Sequence, residues 1–199
     1  MILGRIQPQA EMVHWWFATG FLVLALLLVA EALVGDEVWN RRPWRRYLWP
    51  GFMFAMGVGM FPVMTFFTTS TIHMVAHGAW AQFMLLAGSA ELGLARGKLR
   101  SPYWHLCTAV GLLVSGTAVL VHEQNAWLFS RAAFLHHALG WTAVTCSIFP
   151  IVKALRPKLP VAAYGLATTF VLIAVMLYCD RDTAPIFGHL SYFAGLPHR

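Results

Sequence analysis

Residues 13–34 read VHWWFATGFLVLALLLVAEALV, with no lysine or arginine and a single acid, Glu31. A helix rises about 1.5 Å per residue, so a run of this length exceeds the ~30 Å of hydrocarbon in a bilayer. Backbone surrounded by lipid must satisfy its own hydrogen bonds, which makes such an unbroken apolar run a helix and not a strand. Five further stretches qualify, near Pro50–Thr69, Ile72–Ala95, Tyr103–Val121, Ala132–Leu155 and Val161–Cys179. The expected architecture is an all-α, polytopic bundle of six transmembrane helices, one domain over residues 1–199. Ala30-Glu31-Ala32 resembles the small-x-small site of a cleaved signal peptide. Cleavage there would leave the densest arginine cluster outside the membrane, so the first run is read as a true span.

The whole chain agrees with that reading. Of its 199 residues 59% are hydrophobic and only 11% charged, with a mean hydropathy of +0.63. Soluble domains carry roughly a quarter charged residues, so a soluble globular chain and a disordered one are both excluded. The formal net charge of +6 would suggest a nucleic-acid partner in a soluble protein. Here ten of the fourteen basic residues sit in three short loops: Arg41, Arg42, Arg45 and Arg46, then Arg96, Lys98 and Arg100, then Lys153, Arg156 and Lys158. Short basic loops stay on the cytoplasmic side, so the expected partner is the lipid bilayer and no nucleic acid. These loops follow spans one, three and five, which places both termini outside, as in a multi-pass protein of the bacterial inner membrane. Trp15, Trp16, Trp39, Trp44, Trp49, Trp104 and Trp127 fall near span ends, where interfacial aromatic belts form. Thr68–Thr71 is a very short outer link, and Pro62 is expected to kink the second span. Cys107, Cys146 and Cys179 form no Cys-x-x-Cys pair and fall at different depths, so no disulfide framework is expected.

The histidines are the chemical signal. On the six-span reading His14, His73, His77, His122, His136, His137, His189 and His198 all lie at or near the outer face, and only His105 lies inside. Ionisable groups in spans are costly enough to be functional by default. His73 and His77 share one helix face at i,i+4 spacing, with Cβ atoms roughly 6 Å apart. His122 and Glu123 close span four and His136-His137 opens span five at the same depth. Three helix ends thus deliver His73, His77, His122, Glu123, His136 and His137 to one layer, a donor set suited to a transition metal. His136 and His137 point about 100° apart on a helix, so one is expected to ligate while the other faces elsewhere. His14 has the right depth without a neighbouring ligand, and His189 and His198 belong to a polar tail. The competing reading of the layer is a set of interfacial histidines bonded to lipid phosphates and water.

Imidazole suits copper, zinc, iron and nickel, and the nearest soft ligands are thioethers. Met53, Met56, Met60 and Met64 share a face of span two, with Met64 and Met74 near the histidine layer. That favours copper, although a methionine stripe also serves plain packing. Toward the inside, Glu31, Glu91 and His105 form a smaller polar set. They are expected to cap helix ends or snorkel, with a proton or cation exit as the sharper alternative.

The segment His73–Ile151 resembles bacterial multispan membrane proteins of the copper-resistance D type. The residues that carry the likeness are His73-x-x-x-His77-Gly-Ala-Trp80, Ala87-Gly88-Ser89-Ala90-Glu91-Leu92, Arg96-Gly97-Lys98-Leu99-Arg100, His122-Glu123-Gln124 and His136-His137. The chain is more weakly similar to the His-rich family called transmembrane protein forty-five. The resemblance covers about 80 residues. It implies copper binding at the outer face through His73, His77, His122, His136 and His137, and a role in copper uptake or tolerance.

Three functions compete. The first is a metal-binding membrane protein for copper, or another transition metal such as zinc, with no catalytic role. The second is a b-type haem electron-transfer subunit, with His77 paired to His136 or His122 as axial ligands. The third is a di-metal membrane oxygenase or hydroxylase, disfavoured because the chain lacks an H-x-x-H-H box. No phosphate loop or nucleophile elbow is present. Gly57, Gly59, Gly88, Gly93, Gly111 and Gly116 would let helices approach closely within one chain or between chains, which is equally compatible with a homo-oligomer or a place in a larger membrane complex.

Overall fold

The structure is a computed structural model and describes residues 10–66, 71–121 and 131–179, apart from a few side chains at helix ends. The described residues are helical, with no strand. The long helices are α1 (Ala10–Val34), α3 (Leu48–Phe66), α4 (Thr71–Ala95), α5 (Leu106–Val121), α6 (Arg131–Cys146) and α8 (Pro160–Cys179), with short α2 (Asp36–Asn40) and α7 (Ile148–Leu155) between them. Among the described residues four helical segments are long and apolar enough to cross a membrane: Met12–Val34, Pro102–Val121, Phe134–Leu155 and Pro160–Cys179. α3 and α4, of 19 and 25 residues, have comparable length. The Thr68–Thr71 link lies almost wholly outside the described residues.

Each long helix packs on its sequence neighbour, and α1 packs along α8 and against α3, which closes the six into a ring around one core. Lipid tails are as apolar as leucine, so hiding apolar surface does little to hold such a ring together, and contact distance decides. α3 and α4 cross at two glycines. A Cβ at Gly57 would lie 2.7 Å from the Leu85 backbone nitrogen, and one at Gly88 would lie 2.6 Å from that of Phe54. This reciprocal register makes the two helices antiparallel. Gly116 of α5 and Gly140 of α6 meet in the same way, whereas Gly59 faces open space.

The fifth expected span is found as Phe134–Leu155, with a one-residue break in the α-pattern at Ser147 between α6 and α7. Pro150 has no N–H to give the Cys146 carbonyl, and Ser147 Oγ donates instead to the Val144 carbonyl at 2.7 Å. Trp39 and Trp49 are buried and do not belong to an interfacial belt. Arg45 covers the Trp39 ring at 5.5 Å, and Lys153 Nζ stands 5.0 Å above Trp49. Trp16, Trp44 and Trp104 are exposed as a belt requires, and Trp127 lies outside the described residues. α3 continues as helix through Pro62.

The three basic segments gather at one end of the ring. The Arg45–Tyr47 turn touches α4, and the turn Pro102–His105 packs on α4 and α7. The chain reaches that second turn because Gly97 takes φ +69°, a left-handed conformation that ends α4 and lets Lys98 N–H donate to the Gly93 carbonyl at 3.0 Å.

Replacing Gly88 by alanine forces a backbone shift, with an expected loss of about 1–3 kcal/mol of stability. Gly59→Ala should be neutral or slightly stabilising, since alanine is the better helix former by about 1 kcal/mol. Unfolding of both variants in detergent checks this, and equal melting would refute the crossing contact.

Candidate functional site

The buried face of α1 follows helical periodicity through Ala18, Phe21, Leu24, Ala25 and Leu28. His14 and Phe17 extend that face toward the helix start, where it meets α3, α4, α5, α6 and α8 around a cleft of about 630 Å³, open mouth included. His14, His77 and His136 line it, together with the thioethers Met60 and Met176. The other lining side chains are aromatic or aliphatic, with Phe21 and Trp80 among them. Phe21 stacks on Phe170 at 5.7 Å and meets Trp80 edge-on at 6.0 Å, so an aromatic layer supports this end of the core. Thr142 Oγ1 donates to Met176 Sδ at 3.9 Å, which ties that thioether to α6.

His77 and His136 face each other with ring centres 6.4 Å apart and planes inclined by 46°. They come from α4 and α6, which both pack on α5, and Val119 of α5 lines the same cleft. Of the adjacent histidines, His136 lines the cleft and His137 is exposed. His122 and Glu123 lie outside the described residues, as do the side chains of His73, Met64 and Met74.

Of the layer expected from sequence, the structure describes the side chains of His77, His136 and His137. Among the described residues no group of three or more His, Cys, Asp or Glu side chains is gathered closely enough to hold a metal ion. α4 and α6 flank α5 without packing on each other, so their imidazoles meet as a facing pair, and His137 is turned away by its position on the wheel. His14 and Met60 enter the cleft more fully than the sequence reading allowed, and Met176 was missed. The His14, Phe17, Phe21 spacing signalled the first. Nothing in the sequence marks Met176, because α8 is apolar on every side and only packing shows which face turns inward.

A second polar site occupies the opposite end. Glu91 of α4 is only 3% exposed and does not snorkel. His105 Nδ1 lies 2.7 Å from Glu91 Oε1, and Thr108 Oγ1 donates to the same oxygen at 3.3 Å. Ser101 accepts from Tyr103 N–H and, with Pro102, starts the turn that aims His105 inward. Lys153 of α7 is close enough to act on the Glu91 charge while its ammonium covers Trp49. Four elements are thereby tied at one buried carboxylate, and Glu31, on α1, is not among the groups bonded to it.

Removing one partner of a buried pair strands the other. His105→Ala should cost about 1–3 kcal/mol and Thr108→Val about 0.5–1.5 kcal/mol in detergent unfolding. An unchanged His105→Ala protein would show that the pair is solvated.

Neither a family model, nor a curated protein, nor a solved structure matches the chain, so the two sites are read from their own geometry.

Proposed function

We propose that the cleft binds copper in its monovalent state, in a six-span protein of the plasma membrane whose basic loops face the cytoplasm and whose cleft faces the exterior. The observation that carries this is the facing pair His77 and His136, 6.4 Å apart, in an apolar cleft that also holds two thioethers. Imidazoles on opposite sides of one ion, each with a metal–nitrogen bond of about 2.0 Å, have ring centres roughly 6 Å apart. A tetrahedral ion would draw them closer. Two imidazoles with ring centres at that separation and thioethers nearby suit a soft ion of low coordination number, which describes copper(I) better than zinc.

Charge points the same way. The described donors of the cleft, imidazole and thioether, are neutral. The cost of moving an ion into low dielectric grows with the square of its charge, so these neutral donors favour a monovalent ion, and a carboxylate from Glu123 would leave such a site neutral overall. His73, His122 and Glu123 remain candidates for completing the shell from their places beside the cleft in sequence.

The same spacing favours one alternative, a b-type haem. Two imidazoles on opposite sides of an iron, within apolar and aromatic walls, are what axial ligation requires. His77 and His136 would then hold the iron, which supplies one-electron transfer. The thioethers have no part in that reading, and so copper is preferred.

Titration of purified protein with copper(I) against a competing chelator tests the proposal. His77→Ala and His136→Ala should each weaken binding by at least about tenfold, while His137→Ala stays near wild type. A Soret band in the protein as purified would select haem, and a colourless protein indifferent to copper(I) would end both readings.

A further inference from the structure

α4 carries both polar sites on nearly one face. His77 and Glu91 are fourteen residues apart, which is about 21 Å along the axis and about 40° around it. Thioethers punctuate the core between them. Met60 is 3% exposed and Met84 and Met53 are fully buried, all within one packed cluster. Gly57 lies against Ala81 and Leu85, and Gly88 against Phe54, which fixes how α3 lines up with α4. In that register Met60, Met84 and Met53 stand about 6, 10 and 16 Å below His77, and Glu91 about 21 Å below it. The axial steps are each about 4–6 Å.

Methionine also fills gaps in ordinary cores. These three differ from filler in their placement, since the first lines the cleft and the last stands one turn above Trp49, beside the Glu91 layer. We propose that Met60, Met84 and Met53 are successive stations by which copper(I) passes from the cleft to an inner site at Glu91 and His105. This rests on the copper reading of the cleft.

On entry the Met60 sulfur displaces the two imidazoles one after the other, between stations one neutral sulfur replaces the next, and at the exit the Glu91 carboxylate and His105 nitrogen replace the Met53 sulfur. One coordinate bond forms as another breaks, the ion stays monovalent, and no electron or proton moves. At the inner end the Glu91 carboxylate offsets the ion's charge and His105 offers nitrogen. Lys153, held over Trp49 at 5.0 Å, repels the arriving cation. Passage requires binding strong enough for entry and weak enough for release, and the nearby ammonium provides the second condition.

The test uses the full chain in sealed liposomes, with copper(I) kept reduced outside and a copper(I)-specific chromophoric chelator inside. Met53→Leu, Met84→Leu and the double variant keep side-chain volume, and neither residue lines the cleft. Chelator competition should show cleft affinity unchanged in all three, while uptake falls by about tenfold or more in the double variant, as removal of soft donors requires. Glu91→Gln should slow uptake as well. Wild-type uptake in the double variant, or a wild-type protein that loads its cleft and delivers no copper inside, overturns the relay and leaves the cleft reading standing. A wild-type protein that fails to bind copper(I) overturns both.

Discussion

With four helices long and apolar enough to cross a membrane, hiding apolar side chains from equally apolar tails would gain little, and how closely the backbones approach carries the weight of the packing. The contact between α3 and α4 at Gly57 and Gly88 is the tightest expression of that constraint. It also sets the register that stacks Met60, Met84 and Met53 alongside the face of α4 bearing His77 and Glu91. A side chain at either glycine would separate the two helices and displace α3's wall of the cleft. Helix packing and site geometry are thus one problem in this molecule.

Much of the fold was legible in sequence because a bilayer imposes a length and a polarity that few other patterns meet. The expected spans match the observed helices to within a few residues where both are described, as with Ile72–Ala95 against Thr71–Ala95. The one-residue break at Ser147 within the fifth span leaves no mark on hydropathy, because Pro150 sits in an otherwise apolar run where a missing N–H does not register. Trp39 and Trp49 were misplaced for a related reason: position near a span end predicts an interfacial ring, but cations from Arg45 and Lys153 cover these two.

The site was legible only in part. Depth can be counted along a helix, so His77, His136 and His14 were correctly assigned to one level. Orientation around the axis depends on neighbours, and that is where Met176 was hidden and where Thr108, not Glu31, joined Glu91 and His105. Glu91 and His105 are far from each other along the chain, and nothing in their spacing shows that a left-handed Gly97 and a Ser101-Pro102 turn bring them to 2.7 Å. The pair looked like two separate helix-end residues until the loop between them was closed.

The two ends of α4 treat charge in opposite ways. Among the described residues the cleft offers imidazoles and thioethers and no carboxylate. The inner site already contains a carboxylate, which is tolerable at 3% exposure because His105, Thr108 and Lys153 answer it from three other elements. A cation would meet soft imidazole and thioether donors at one end and a hard, compensated carboxylate at the other. Between them the polarisable sulfurs of the core lower the cost of charge more than leucine would, without the hydration that an open aqueous path requires. That gradient of donor character, from imidazole through thioether to carboxylate, follows from where α4 places His77 and Glu91 and from the sulfurs that α3 and α4 set between them.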